Sequence, residues 1–259
     1  MIAVNTLREQ PHYRRSAFTK GLERLGYKME RGGSPRSRSD LLILWNRQST
    51  DENQARDWES NGGSVLVCEN GYIGADDQGR SLYAISVHGH NGSGWFPVGT
   101  EDRFTALGIE VQPWREVSGH VLVCGQRGIG SRLMASPANW EHGMAQKLKG
   151  RWPVRIRSHP GRTQPATTLQ ADLEGAAACC VWSSACGVRA LTMGVPVIYA
   201  APHWICSAAA SRDLSAPMMD DALRQAALHR MAHAQWTVAE IESGEPFARI
   251  VAQIGEAKW

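Results

Sequence analysis

Apolar residues in this chain fall in short continuous runs separated by stretches with helical spacing. "MIAVNT", "DLLILWN" and "SVLVCENG" open the sequence's first half. A run without polar alternation marks a strand covered on both faces, which is the habit of parallel sheets. Between the runs, "YRRSAFTKGLERLGYK" places Phe18, Leu22 and Leu25 on one helical face before a stop at Gly26, and "DENQARDWESNGG" reads as a helix ended by Gly62 and Gly63. The order βαβαβ predicts a doubly wound domain. Two Gly- and Asp-rich loops follow, "NGYIGADDQGR" and "HGHNGSGWFPVG", with "SLYAISVHG" as a strand between them.

The pattern restarts after "EVQPWREVSG". "HVLVCGQRGIGS" is a strand entering a glycine-rich turn, "PANWEHGMAQKLKG" a helix and "WPVRIR" a strand. "TTLQADLEGA" is a short helix, "AACCVW" a strand, "SSACGVRALTMG" a helix and "VPVIYA" a strand. The tail reads as helices, "MDDALRQAALHRMAHAQW" and then "TVAEIESGEPFARIVAQIGEA", interrupted at Gly244 and Pro246. The expected fold is α/β, two Rossmann-like doubly wound domains facing a cleft, with boundaries at 1–117, 118–218 and a helical 219–259 that crosses back toward the first domain. A length of 259 residues suits two modest cores.

Composition narrows the setting. No apolar run is long enough to span a membrane, and the first residues lack the order of a signal peptide, so a cytoplasmic monomer is expected. The six cysteines show no metal-ligand or disulfide spacing and read as buried thiols. Net charge is only +3, yet residues 1–47 carry ten Lys/Arg against four Asp/Glu, and residues 119–162 carry eight against the single Glu141.

Ligands of open α/β sheets bind beyond the carboxyl ends of strands, so the loops following strands hold the candidate chemistry. In "GQRGIGS" the glycines Gly125, Gly128 and Gly130, with Ser131, let backbone amides approach a phosphate, and Arg127 and Arg132 add charge. The late helix start excludes a dinucleotide fingerprint. In "VRIRSHPGR", Arg155 and Arg157 share a strand face, with His159 and Arg162 in the turn beyond; with no acid adjacent in sequence, this cluster is expected to hold an external anion. In "VWSSACGVRAL", Trp182 ends a strand, and Ser183 and Ser184 head a helix whose N-terminus favours negative charge.

The order His159-Pro160, then a serine pair opening a helix that ends in Gly194-Val195-Pro196-Val197, resembles the nucleotide-binding half of GT-B glycosyltransferases. It is most similar to capsule-polysaccharide transferases and HP-motif sialyltransferases, and more distantly to nucleotide-sugar epimerases. The resemblance covers roughly residues 119–200. It implies that His159, Ser183 and Ser184 bind the phosphate of a nucleotide-sugar donor, a UDP-sugar by preference, with no cofactor and no metal. Arg189 stands where such families often carry an acid in "G-x-E-A-L".

A transferase needs a base for the acceptor hydroxyl. Glu69, followed by Asn70 and Gly71 at a strand end, resembles the acidic-glycine motif of those sialyltransferases; His88 and His90 are the alternatives. For the acceptor, Arg14, Arg15, Arg36 and Arg38 with Lys20 are read as a track for the phosphates of double-stranded DNA, with Trp45, Trp95 or Trp114 filling the stack of a flipped base. The compact chain resembles bacteriophage-encoded glycosyltransferase-like proteins, which implies a 5-hydroxymethylated pyrimidine as acceptor. A surface-polysaccharide transferase, a nucleotide-sugar epimerase and a non-catalytic DNA- or glycan-binding module are the other readings.

Overall fold

The computed structural model describes residues 1–131 and 133–257, and the chain divides into two compact units, 1–90 with 94–107 and 230–259, and 91–93 with 108–229. The first unit contains β1 (Ile2–Asn5), α1 (Arg15–Arg24), β2 (Lys28–Glu30), β3 (Leu41–Trp45), α2 (Glu52–Ser60), β4 (Ser64–Asn70), β5 (Tyr83–Val87) and α3 (Glu101–Ala106). Its sheet has the order β10-β5-β4-β3-β1-β2, with β10 being Gln235–Trp236. The four strands β2, β1, β3 and β4 are parallel; β5 pairs antiparallel with β4, and β10 pairs antiparallel with β5.

Alternate residues of the parallel strands enter two different cores. Ala3, Leu41, Ile43, Leu66 and Cys68 pack with Phe18 and Leu22 of α1 and with Ile241 and Phe247, while Ile2, Val4, Leu42, Leu44, Val65 and Val67 pack with Ala55 and Trp58 of α2. Burial on both faces is why the centres of β1, β3 and β4 are apolar at successive positions. Helices α8 (Val238–Ser243) and α9 (Glu245–Gln253) cover the first face. Contact between α8 and α1 is so close that a Cβ on Gly21 would stand 1.9 Å from the Ile241 carbonyl oxygen.

The second unit holds β6 (His120–Cys124), α4 (Trp140–Leu148), β7 (Val154–Arg157), α5 (Leu169–Glu174), β8 (Ala176–Val181), α6 (Ala185–Thr192) and β9 (Val197–Tyr199). Its four strands are all parallel, in the order β7-β6-β8-β9. The chain winds one way from β6 through α4 to β7 and the other way from β8 through α6 to β9, so the winding reverses between β6 and β8. Of the six cysteines, five are buried and Cys186 is half-buried. No helix of the described residues is long and apolar enough to cross a membrane.

The tail departs from the helical reading. Helix α7 (Asp221–Ala232) stops short, and Gln235–Trp236 becomes an edge strand on β5. Tertiary contacts outweigh helical propensity there. The Gln235 side-chain oxygen accepts hydrogen bonds from the Tyr72 and Ile73 amides at 2.8 and 3.2 Å, and the Arg103 guanidinium lies 4.1 Å over the buried Trp236 ring. The short strand β2 and helix α3 also carry too few residues to show periodicity.

Candidate functional site

In the second unit the gap between β6 and β8 is the topological switch point, where loops diverge and leave a crevice. Gln126, just after β6, reaches across it. Its Nε2 donates to Ser183 Oγ at 3.3 Å, and the Ser183 amide donates to Gln126 Oε1 at 3.2 Å. Ser183 is buried by this exchange, while Ser184 caps α6 by accepting from the Cys186 amide at 3.2 Å. The serine pair therefore divides into one residue that ties two loops together and one that caps a helix.

The glycine-rich loop is anchored by the Gly125 amide, which donates to the Arg157 carbonyl at 2.8 Å. Gly128 and Gly130 adopt φ of 68° and 104°, in the left-handed region that favours glycine. Arg162 bonds back to this loop, its Nη2 donating to the Arg127 carbonyl at 3.1 Å. His159 lies in the same corner, and a Cβ on Gly161 would sit 3.1 Å from the His159 Nδ1 and 3.2 Å from the Arg127 Cδ. The His159 Nδ1 accepts from the Gly161 amide at 2.9 Å, so the neutral ring carries its proton on Nε2 as a donor. Burial, then the nearby charges of Arg127 and Arg162, push the imidazole pKa below its ordinary value. Three groups able to hold an anion thus converge at the carboxyl ends of β6 and β7.

The expectation that this cluster lacks a carboxylate is corrected. Arg157 is ion-paired with Asp172, both side chains nearly buried, and also donates to the Thr167 carbonyl at 2.9 Å. Its guanidinium serves the fold. Arg162 has Glu141 Oε1 at 3.6 Å. Trp182 meets Trp140 edge-on at a centroid distance of 6.1 Å. Arg132 lies outside the described residues. Gln126, Ser136, Glu141 and Asp172 escaped the sequence reading. Only Glu141 carried a signal, as the single acid of a basic stretch.

In the first unit, Glu69 sits near the carboxyl end of β4, and the Tyr72 hydroxyl donates to its Oε1 at 2.7 Å. Beyond it opens a cavity of about 500 Å³ lined by His12, Arg14, Asn70, Tyr72, Arg80 and Tyr83 among others. Arg14 has φ of 51°, and its Nε donates to the Tyr83 hydroxyl at 3.3 Å, which in turn donates to the His12 carbonyl at 3.0 Å. A non-glycine residue in this region is strained, and such strain concentrates at ligand sites.

Other expected partners do not assemble there. Because β5 is antiparallel, its end at His88 returns to the amino end of β4, where the His88 amide donates to the Val65 carbonyl at 2.9 Å. Glu69 is four residues further along the strand, about 13 Å away. His88 Nδ1 lies 2.7 Å from Glu59 Oε1, within a network in which the buried Arg47 bridges Glu59 and Glu52. His90 is buried just beyond, and Trp95 pairs back onto Val87 at the same end.

The arginines form no track. Arg14 and Arg15 follow β1 at its carboxyl end, whereas Arg36 and Arg38 precede the parallel β3 at its amino end. Arg15 pairs with Glu9 at 3.1 Å, Lys20 with Glu242 at 3.4 Å, and Arg38 donates to the Gly255 carbonyl at 3.3 Å. Trp45 packs edge-on against His12, Tyr13 and Tyr83. Among the described residues, no three His, Cys, Asp or Glu side chains are grouped to hold a metal ion.

No protein-family model matches the sequence, and no curated protein matches it either. Solved structures do. The β-Kdo 2,7 transferase of Thermosulfurimonas dismutans KpsC matches with a TM-score of 0.50 and 14% identity, covering 96% of this chain and 99% of that one. The β-Kdo 2,4 transferase of the same protein matches with a TM-score of 0.47 and 12% identity over 88% of this chain and 89% of that one. The α/β fold with two parallel-rich sheets is therefore the GT-B-like fold of the 2,7 transferase.

Proposed function

We propose that the protein is a glycosyltransferase that moves a sugar from a nucleotide donor to a saccharide hydroxyl. The observation that carries the reading is the convergence of Arg127, His159 and Arg162 at the carboxyl ends of β6 and β7, on a fold shared with a sugar transferase. As the bond between sugar and phosphate breaks, negative charge builds on the departing nucleotide. Two guanidiniums and an Nε2–H fixed in place stabilise that charge. Glu69 then receives the acceptor's proton, held in orientation by the Tyr72 hydroxyl. The cavity beside Tyr72 is polar, aromatic and of a size for one or two sugar residues, which favours a saccharide acceptor.

A hydroxymethylated base in duplex DNA loses its support. Its phosphate track needed Arg14, Arg15, Arg36 and Arg38 on one surface, and they stand at opposite ends of the sheet, with Arg15 and Arg38 held by partners of their own. Kdo is the sugar to test first, because the solved 2,7 transferase acts with it.

The deciding experiment incubates the protein with CMP-, UDP- and GDP-linked sugars, with and without oligosaccharides, and follows nucleotide release. One nucleotide class should be turned over, faster with an acceptor present. Release of none, together with no nucleotide binding by calorimetry, would remove the assignment; isomerised donor without transfer would make it an epimerase.

A further inference from the structure

The second unit holds a cavity of about 650 Å³ that the anion corner does not use. Successive residues of a strand face opposite sides of the sheet. Val181 faces α6, where a Cβ on Gly187 would stand 3.2 Å from its side chain, so Cys180 faces the other side. There α4 packs on β6 and β7, and the loop after β9 stands over the rest. Between helix and loop the cavity opens, its apolar wall made by Met144, Leu148, Trp152, Cys180, Ile198 and Leu214. The loop is fastened in place. The Tyr199 amide donates to the Ser211 carbonyl at 3.0 Å, the Ser211 amide to the Val197 carbonyl at 3.0 Å, and the Ser211 hydroxyl to the Ala216 carbonyl at 2.7 Å.

The rim is cationic. Lys147, Arg151 and Arg212 line it against the single carboxylate of Asp213, which accepts from the Ser215 amide at 3.0 Å and from the Ser215 hydroxyl in its own loop. Lys147 and Arg151 are exposed and make no ion pair among the described residues. Arg212 is held in position, its guanidinium 3.9 Å from the centroid of the Tyr199 ring and its Nη2 donating to the Pro202 carbonyl at 3.2 Å. Solvated surface cations are ordinary, but these surround an apolar wall. Lys147 and Arg151 also belong to the basic stretch 119–162, and the anion corner leaves them unused. Val117, before β6, and Arg151 and Trp152, before β7, line the cavity, so it reaches toward the amino ends of the strands, away from His159.

We propose that this cavity is a second ligand site, which takes a small amphiphilic anion: a hydrocarbon body carrying one carboxylate or phosphate. The body lies against Cys180, Ile198 and Leu214, and the anionic end meets Lys147 and Arg151 at the mouth. The volume suits one small molecule. A neutral hydrocarbon would leave the cations unused, and a small inorganic anion would leave the apolar wall in contact with water. The site goes beyond the nucleotide-sugar reading and does not depend on it.

Calorimetric titration with decanoate and with decanol, each kept below its aggregation limit, tests this. The wild type should take one decanoate per chain and bind decanol about tenfold more weakly. Lys147→Gln combined with Arg151→Gln should remove that difference by weakening decanoate alone, and Leu214→Ser should weaken both ligands by about fivefold. Raised ionic strength should weaken decanoate and not decanol. Arg127→Ala combined with His159→Asn should leave decanoate affinity unchanged, because the anion corner is elsewhere. Equal affinity for the two ligands, or decanoate binding untouched by the Lys147 and Arg151 substitutions, would overturn the proposal. So would loss of decanoate binding in the Arg127 and His159 variant, which would move the ligand to the corner. Binding to vesicles of an anionic phospholipid with none to soluble decanoate would overturn it as well, making this face a membrane contact. If Leu214→Ser does not fold, the salt series and the paired surface substitutions decide.

Discussion

Gln126 and Ser183 exchange two hydrogen bonds across the point where the second sheet reverses its winding, joining the loop after β6 to the loop after β8. Both residues are buried. Removing either leaves a buried amide or hydroxyl without its partner, which costs about 1–3 kcal/mol. Gln126→Ala and Ser183→Ala should each lower stability by that amount in urea titration, and the double variant should cost less than their sum, with a coupling of about 0.5–3 kcal/mol. Strict additivity would show that the two loops are not joined through this pair.

His159 links anion binding to pH. Burial and the charges of Arg127 and Arg162 hold its pKa below the usual imidazole value of about 6.5, so the imidazole of the free site is mainly neutral at pH 7. A bound phosphate favours the protonated ring and raises the pKa, so binding takes up a proton. Affinity for inorganic phosphate or a nucleotide should rise as pH falls from 8 to 6, and His159→Asn should flatten the dependence. A wild-type affinity that does not change over this range would contradict the coupling.

Stability should move the opposite way. His120, His159 and His233 all have lowered pKa values, with burial the largest cause of each. Below about 6.5 the unfolded chain binds protons that the folded one refuses, so stability is full above that value and lost as pH falls through it toward the lowered folded values. Melting temperature measured from pH 8 to pH 5 should fall on the acid side.

Arg157 and Arg127 should separate fold from site. Arg157 forms a nearly buried pair with Asp172, and breaking such a pair by removing one partner costs about 3–5 kcal/mol. Asp172→Ala and Arg157→Ala should both be strongly destabilised. Arg127 is exposed, so Arg127→Ala should leave stability within about 0.5 kcal/mol and weaken nucleotide binding. Equal melting temperatures for all three variants would refute the division.

Glu69 and His88 make the matching pair in the first unit. Glu69→Gln should keep ligand binding and reduce turnover by about 100-fold to 10,000-fold, the range for a lost general base. His88→Ala should reduce stability instead, because Glu59 loses a partner inside the Arg47 network, and turnover per folded molecule should persist. Full activity in Glu69→Gln would place the base elsewhere.

The hydrophobic pattern is enough to specify most strands and the class of fold. Runs such as Leu41–Trp45 and Val65–Cys68 are apolar at every position, and only a strand covered on both faces requires that, so parallel doubly wound sheets are legible in the amino-acid order. The glycine turn, the serine-headed helix and the cationic turn at His159 are legible too, because local chemistry marks the ends of strands and helices. What each charge faces depends instead on segments far apart in the chain. Asp172 is 15 residues from Arg157, and Glu141 is 21 residues from Arg162; the parallel crossovers bring them together. Strand direction settles the rest. Nothing in "SLYAISVHG" states that β5 runs antiparallel, yet that single fact carries His88 and His90 to the amino end of β4, away from Glu69. Side-chain types specify which chemistry is possible, and the register and direction of strands distant in sequence determine which of those groups share a site.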